Sequence, residues 1–316
     1  MAELRYEGSV IAVIWDFDGT LIPGYQQAPL FARFHIEPAA FWAEVNGLTS
    51  HYAKRGVVVS ADTIYLNHIL TYVQQGRFPG LNNAMLRSFG EELTFYPGMP
   101  EFLERSTGAI EGNALFKSHK ITVEHYIVST GLRQIMLGSA AAQHVVDIWG
   151  NDFIEAAAEP GFLVEEGETE KAGDVITQVG YFLDNTTKTR AIWEINKGCN
   201  KYPDRGVNDF FPEEERPVPL RNMIYIADGL SDVPVFSILN QYGGRTLGVH
   251  DGTEEHFRKV RELLKQGRVQ HLVRADYAVG SPAEQWIMAE LYEMAEIIVS
   301  DQEARLRSRI RRAPGH

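Results

Sequence analysis

Two aspartates, Asp16 and Asp18, stand one residue apart at the end of the apolar run of residues 11–15. That run of β-branched and apolar side chains predicts a strand that is buried on both faces. Residues two apart in a strand point to the same side, so both carboxylates can act on one small site. Open α/β sheets bind ligands at the carboxyl ends of such strands. An acidic turn with no catalytic role would show the same pattern, so only other residues of the chain can distinguish a functional site from a plain turn.

The two residues after Asp18 favour a sharp turn. Gly19 has the backbone freedom that such a turn needs, and the Thr20 hydroxyl can form a local hydrogen bond that holds it. The sequence therefore predicts that the chain reverses directly beyond the two carboxylates.

Further side chains with chemical potential follow strands or begin helices elsewhere in the chain. They are Ser129, Thr130, Gly131, Lys188, Asp228 and Asp232. Each is ordinary by itself, since small polar residues make turns and a lysine at a helix start is usually solvated. Together with Asp16 and Asp18, these residues fall into four groups along the chain: the first two aspartates, the turn at 129–131, Lys188, and the last two aspartates. Three of the four groups follow the strongest predicted strands, and this order indicates one shared site.

The order of these residues resembles the haloacid dehalogenase superfamily, in its phosphoserine-phosphatase-like branch. The motif Asp-x-Asp-Gly-Thr is matched at residues 16–20, and the second motif at residues 129–131. Lys188 matches the third motif, and Asp228 with Asp232 matches the fourth. Ala227 stands where the fourth motif has glycine, which leaves both acids intact. The match covers almost the whole chain.

The resemblance implies catalytic roles for the two aspartates of the first motif. Asp16 would be the nucleophile, and Asp18 the general acid and then the general base. The cofactor would be Mg²⁺, which prefers oxygen ligands. Its implied protein ligands are Asp16, the main-chain carbonyl of Asp18, and Asp228.

The same resemblance implies how phosphate would be held. Ser129, Thr130, Gly131 and Lys188 would bind it, with backbone N–H groups contributing near a helix start. Thr20 and Asp232 would support the site from behind, Asp232 by a hydrogen bond to metal-bound water or to Lys188.

Strands that alternate with helices predict a doubly wound parallel sheet, a Rossmann-like core with helices on both faces. Residues 26–94 show helical spacing without a strand-like run, which predicts a small all-helical insertion. We therefore expect a catalytic α/β core of residues 1–23 and 96–316 and a helical cap domain of residues 24–95. Residues 162–164 and 180–183 are expected to form a β-hairpin, and residues 275–279 a late strand.

Composition narrows the class of partner. The chain has 316 residues and a formal net charge of −12, which argues against a nucleic-acid surface. The single cysteine, Cys199, excludes an intrachain disulfide. No run reaches the roughly 18 apolar residues of a membrane span. No secretory signal is visible, so we expect a cytoplasmic protein with no membrane partner.

Together these features predict a Mg²⁺-dependent phosphomonoester hydrolase that acts on a small phosphorylated metabolite through an aspartyl-phosphate. A phosphotransferase or mutase with the same intermediate is one alternative, and a non-catalytic binding protein of this fold is another. The sequence names neither the substrate nor the oligomeric state. His250, Asp251 and His256 match no helical histidine pair, and we expect them to be loop residues.

Overall fold

A seven-stranded sheet forms the centre of the computed structural model, which describes residues 8–158, 160–161 and 175–311. The strands in chain order are β1 (Val10–Trp15), β2 (Thr122–Leu132), β3 (Asp147–Ile154), β4 (Gln178–Tyr181), β5 (Met223–Ala227), β6 (Arg245–His250) and β7 (His271–Arg274). Their spatial order is β4-β3-β2-β1-β5-β6-β7. All neighbours run parallel except β4, which is antiparallel to β3.

Strand β1 lies in the middle of the sheet because its side chains are apolar on both faces. Val13 and Trp15 pack into one buried cluster, and Ile14 packs into a second cluster on the other face. In register, Trp15 pairs with Ile127 of β2 and with Ile226 of β5. The ends of β1, β2 and β5 therefore meet at one edge of the sheet.

Eleven α-helices lie in the described ranges. They are α1 (Ala28–Arg33), α2 (Pro38–Ala53), α3 (Ile64–Gln74), α4 (Asn83–Gly90), α5 (Glu101–Glu111), α6 (Ala114–Ser118), α7 (Arg133–Gly138), α8 (Lys188–Lys197), α9 (Val233–Gln241), α10 (Glu254–Lys265) and α11 (Pro282–Arg311). Helices α5 and α11 cover one face of the sheet, and α8 and α9 the other, as the clusters with Phe102, Ile287, Ile192 and Phe236 show. The predicted doubly wound α/β architecture is confirmed. None of the helices in these ranges combines the length and apolar character that a membrane span requires.

Helices α1 to α4 follow β1 and share a third apolar cluster. Phe41, Tyr65 and Leu86 belong to it, and so do Leu132 and Ile135 from the end of β2 and from α7. Helices α4 and α7 approach closely at two glycines. A Cβ on Gly90 would lie 2.2 Å from the Ile135 carbonyl oxygen, and one on Gly138 would lie 1.7 Å from the Arg87 carbonyl oxygen. The helical segment is thus packed on the end of the sheet where β2 terminates.

Two local expectations differ from the structure, and a third falls partly on residues that the structure does not describe. Strand β2 continues through Ser129–Leu132 instead of turning at Ser129, with an irregular register against β3. The last strand is His271–Arg274, just before the predicted residues 275–279. Residues 178–181 pair with β3, while the expected hairpin partner, residues 162–164, lies outside the described residues. The spacing of apolar residues alone does not determine where these strands begin and end, because a short apolar run can lie before or after a turn.

Candidate active site

The carboxylates of the first motif lie where β1 ends, as predicted. The Asp16 N–H donates to the Ile226 carbonyl at 2.9 Å and so extends the sheet ladder by one residue. Asp16 is buried, with 5% of its surface exposed, whereas Asp18 is partly buried. The Gln26 N–H donates to Asp18 Oδ1 at 2.9 Å. The sheet ladder therefore holds the backbone of Asp16, and a backbone N–H holds the side chain of Asp18.

Gly19 makes the turn beyond the aspartates possible in two ways. Its φ of +69° lies in the left-handed region, and a Cβ there would lie 2.1 Å from Asp228 Oδ2. The expected local hydrogen bond of the Thr20 hydroxyl is wrong: Thr20 Oγ1 is buried and has no partner among the described residues. The Tyr277 hydroxyl instead holds this segment by donating to the Thr20 carbonyl at 2.8 Å.

Lys188 is the first residue of α8 and is fully buried. Its Nζ donates to Asp16 Oδ1 at 2.8 Å and to Asp232 Oδ1 at 2.6 Å. The carboxylate of Asp184 accepts from the N–H of Thr187 at 2.6 Å and so holds the start of the helix. The helix start thus places one ammonium between two carboxylates that come from different strands.

Asp228 and Asp232 come from the connection between β5 and α9. Asp232 is fully buried and accepts three hydrogen bonds, from Lys188, from the Tyr225 hydroxyl at 2.6 Å and from the Ser231 hydroxyl at 2.8 Å. Its position against Lys188 matches one of the two roles expected for it. Since these donors occupy both oxygens of Asp232, Asp228 is the acid of this motif that is freer to bind something new.

The electrostatics of the site follow from four carboxylates around one ammonium. Burial raises the pKa of Asp16 to about 6, although Lys188 opposes the shift. Burial and the charge of Asp16 raise the pKa of Asp18 to about 7, and the same causes raise that of Asp228 to about 8. Asp16 and Asp232 hold the pKa of Lys188 above its usual range despite its burial. The excess of negative charge creates a demand for a cation.

A metal ion fits the residues that are present. Asp16, Asp228 and Asp232 each offer a carboxylate oxygen, and these three atoms lie within 4.8 Å of one another. Hard oxygen donors in such a cluster are the ligands that Mg²⁺ prefers. Gly19 leaves the room for Asp228 that a side chain would fill.

Three of the four residues predicted to bind phosphate, Ser129, Thr130 and Gly131, lie at the end of β2, beside the aspartates. The Ser129 hydroxyl accepts from the Gly131 N–H at 3.2 Å, and Ser129 is almost fully buried. The Thr130 carbonyl accepts from the Tyr65 hydroxyl of α3 at 2.7 Å. One residue of the helical segment therefore reaches the strand end that carries the second motif.

These groups line one cavity of about 750 Å³. Asp16, Asp18, Asp228, Ser129 and Thr130 contribute to its wall, while Lys188 lies behind Asp16. Exposed side chains of Tyr25 and Leu230 also contribute to the wall. The size suits a small molecule rather than a polymer.

His256 is a site residue that the sequence analysis missed. Its Nε2 lies 3.1 Å from the Asp228 carbonyl oxygen and 3.4 Å from Asp228 Oδ2. The Asp251 N–H donates to its Nδ1 at 3.3 Å, which leaves the proton on Nε2, facing Asp228. The expectation of a plain loop is wrong here, because α10 begins beside the fourth motif. Thr253, which caps the start of that helix, is the sequence feature that could have predicted a helix at His256.

No protein-family model matches the chain. It is 37% identical over 287 residues to an uncharacterized protein of Borreliella burgdorferi, across 90% of this chain and 97% of that protein. The chain belongs to the family of that protein. The relative carries no assigned activity, so membership alone assigns no function.

Solved structures show distant likeness. A HAD-family hydrolase from Salmonella enterica serovar Typhi has a TM-score of 0.48 at 12% identity, over 85% of this chain and 68% of that one. Cytosolic 5'-nucleotidase IIIB bound to cytidine has a TM-score of 0.48 at 11% identity, over 92% and 88%. A phosphoserine phosphatase has a TM-score of 0.44 at 12% identity, over 83% and 92%. The activities in these names are those of the neighbours.

Proposed function

We propose that this chain is a Mg²⁺-dependent phosphomonoester hydrolase of the haloacid dehalogenase superfamily, with a small phosphorylated metabolite as substrate. The observation that carries the proposal is the buried Lys188 ammonium, 2.8 Å from Asp16 and 2.6 Å from Asp232, behind a cavity that Asp18 and Asp228 also line. Phosphoryl transfer is catalysed mainly by positioning and by electrostatic stabilisation. This arrangement supplies both.

Asp16 is the proposed nucleophile. Lys188 engages its Oδ1, which leaves Oδ2 to attack phosphorus. A new bond forms between Asp16 and phosphorus as the bond to the leaving oxygen breaks, which gives an aspartyl-phosphate. With a pKa of about 6, Asp16 is mostly ionised at neutral pH, as a nucleophile must be.

Asp18 is the proposed proton carrier. In its protonated form it donates a proton to the leaving oxygen, and it then accepts a proton from the water that attacks the aspartyl-phosphate. Burial and the charge of Asp16 raise its pKa to about 7, which lets one group serve as acid and base near neutral pH. The attack of water releases inorganic phosphate and restores the Asp16 carboxylate.

The proposed ligands of Mg²⁺ are Asp16, the Asp18 carbonyl and Asp228, since Asp232 is already occupied by three donors. When bound, the ion would neutralise charge on the phosphoryl oxygens. Ser129, Thr130, Gly131 and Lys188 are proposed to hold the phosphoryl group. Asp232 fixes Lys188. The turn that carries Asp18 is supported through the Thr20 carbonyl, which accepts from the Tyr277 hydroxyl.

We also propose that residues 24–95 act as a cap domain over the core of residues 1–23 and 96–316. The contact of Tyr65 with the Thr130 carbonyl and the exposed Tyr25 at the cavity support this division. Such a cap would exclude water from the reaction and would select the leaving group.

The test is turnover of p-nitrophenyl phosphate and of a panel of phosphorylated metabolites with Mg²⁺. We expect Asp16→Asn to lose at least about a thousandfold in turnover, since the nucleophile is removed while the shape is kept. Asp276→Asn is the control, because its carboxylate only caps the Ala278 N–H in a loop. Retained activity in Asp16→Asn contradicts the covalent mechanism, and an inactive wild type contradicts the proposed function.

A further inference from the structure

Gln26 links the proton-carrying aspartate to the end of strand β2. It is fully buried just before α1. Its backbone N–H donates to Asp18 Oδ1 at 2.9 Å, and its side-chain Oε1 accepts from the Leu132 N–H at 3.1 Å. One residue thus bonds the first motif and the segment that carries the second motif.

The orientation of the Gln26 amide is fixed by its neighbours. Because Oε1 faces an N–H donor, the other amide atom must be Nε2. That nitrogen lies against Gly131, where a Cβ would come within 1.8 Å of it. Any larger residue at position 131 would displace the amide, which gives the glycine of the second motif a specific role in holding Gln26.

The side-chain nitrogen of Gln26, Nε2, is a hydrogen-bond donor. It is buried and has no hydrogen-bond partner in the part of the chain that the structure describes. The amide is held in place by its other contacts, the Leu132 N–H on Oε1 and Gly131 against Nε2.

We propose that Gln26 is a positioning residue that fixes the Asp18 carboxyl relative to the phosphate-binding strand end, so that Asp18 can deliver its proton to the leaving oxygen. The inference rests on the proposed function and adds a residue that none of the four motifs contains. A displacement of a catalytic group by about 1 Å can lower a rate about a hundredfold. Gln26 is the contact that prevents such a displacement.

The proposal is tested by how the rate depends on the leaving group. An alkyl phosphate needs a proton on its leaving oxygen, whereas p-nitrophenolate is stable enough to leave without one. We therefore compare kcat/KM for an alkyl phosphate and for p-nitrophenyl phosphate, because kcat/KM reports the steps up to loss of the leaving group. We expect Gln26→Leu to lose about tenfold or more on the alkyl ester and less than about threefold on the aryl ester.

Two comparisons make the outcome decisive. Asp18→Asn should show the same preference for the aryl ester more strongly, by about a hundredfold or more. Gln134→Leu is the control for loss of a buried glutamine, since its amide joins Arg87 to Asp152 and contacts no proposed catalytic group. We expect its two substrates to be affected equally.

Gln26→Met covers the case in which Gln26→Leu does not fold. Methionine keeps the length of the side chain but offers no acceptor of the same strength to the Leu132 N–H, so the link to strand β2 is lost while the buried volume is kept. We expect it to show the same selective loss on the alkyl ester. Equal losses on both esters, or no loss, in the variant that folds would overturn the role of Gln26. If Asp18→Asn shows no leaving-group preference, the acid role of Asp18 fails, and this inference fails with it.

Discussion

Lys188 determines the chemistry of the neighbouring side chains at the scale of single residues. It is fully buried, and its charge is compensated by Asp16 on one side and Asp232 on the other. An ion pair in this setting holds geometry rather than adding much net stability, because desolvation offsets most of the attraction. Removing one partner is different, since it leaves the other charges buried without compensation.

We expect Lys188→Met to lower the free energy of unfolding at pH 7 by about 3–5 kcal/mol and to remove turnover. Urea titration monitored by circular dichroism measures the first effect. Lys265→Met is the matched control, since Lys265 is an exposed lysine paired with Glu262 on a helix surface, and it should change stability little. If the two variants were equally stable, Lys188 would not be compensating the buried charges of Asp16 and Asp232.

The motif residues at this site could be predicted from the sequence, and their neighbours could not. Asp16 and Asp228 follow strands, Lys188 begins a helix and Ser129 lies near the end of β2, and the topology brings such positions to one edge. His256 stands in the first turn of α10, and the position of α10 in the molecule depends on how this helix packs against β6. Periodicity carries no information about that placement.

At the scale of elements, the turn after β1 joins the first and fourth motifs. Gly19 has a left-handed φ of +69° and packs directly on Asp228, so backbone conformation and carboxylate position depend on the same residue. Strands β1 and β5 were predictable because each is a continuous apolar run, and β2 was predictable from the apolar residues 126–128 at its centre. The end of β2 was not, since its small polar residues look like a turn but remain extended through contacts with α3 and β3.

We expect Gly19→Ala to lower kcat/KM about 10-fold to 100-fold, because its Cβ must displace the Asp228 carboxylate. Gly80→Ala is the control, since Gly80 has a φ of +72° and a methyl group there would meet no atom of the described residues within 4 Å. Both variants should melt at a lower temperature because an alanine is strained at positive φ. Activity should fall only in Gly19→Ala, and an equal effect on activity would contradict the link between the turn and Asp228.

At the scale of the whole molecule, negative charge dominates. The formal net charge is −12, and within it four carboxylates cluster around one ammonium at the site. Burial raises the pKa of Asp16, Asp18 and Asp228 to about 6, 7 and 8 from an ordinary value of 3.8. The folded chain thus binds these protons more tightly than the unfolded chain, so these groups cost stability as pH rises through this interval.

We expect the Tm in a chelator to fall between about pH 5 and pH 8, and the rise in Tm caused by Mg²⁺ to grow over the same interval. The ion competes with the protons on these carboxylates, so it binds better as they leave. Acids with a lowered pKa, such as Asp184, finish titrating below this interval. Burial lowers the pKa of His125 and His250 from 6.5, so these two groups oppose the trend up to about pH 6.5, but the three carboxylates outweigh them. Thermal melts across pH measure both trends, and Asp228→Asn should weaken them. A Mg²⁺ effect that is absent or independent of pH would contradict the metal assignment.

The covalent role of Asp16 is tested most directly by trapping the intermediate. Asp18→Asn lacks the base that activates water, so with p-nitrophenyl phosphate and Mg²⁺ it should release one burst of p-nitrophenol per chain and then turn over slowly. Acid quenching and peptide mapping then locate the phosphoryl group. The account predicts it on Asp16, in an acid-stable and base-labile acyl linkage. A phosphoryl group on another residue, or product formation with no phosphorylated protein at any time, would contradict it.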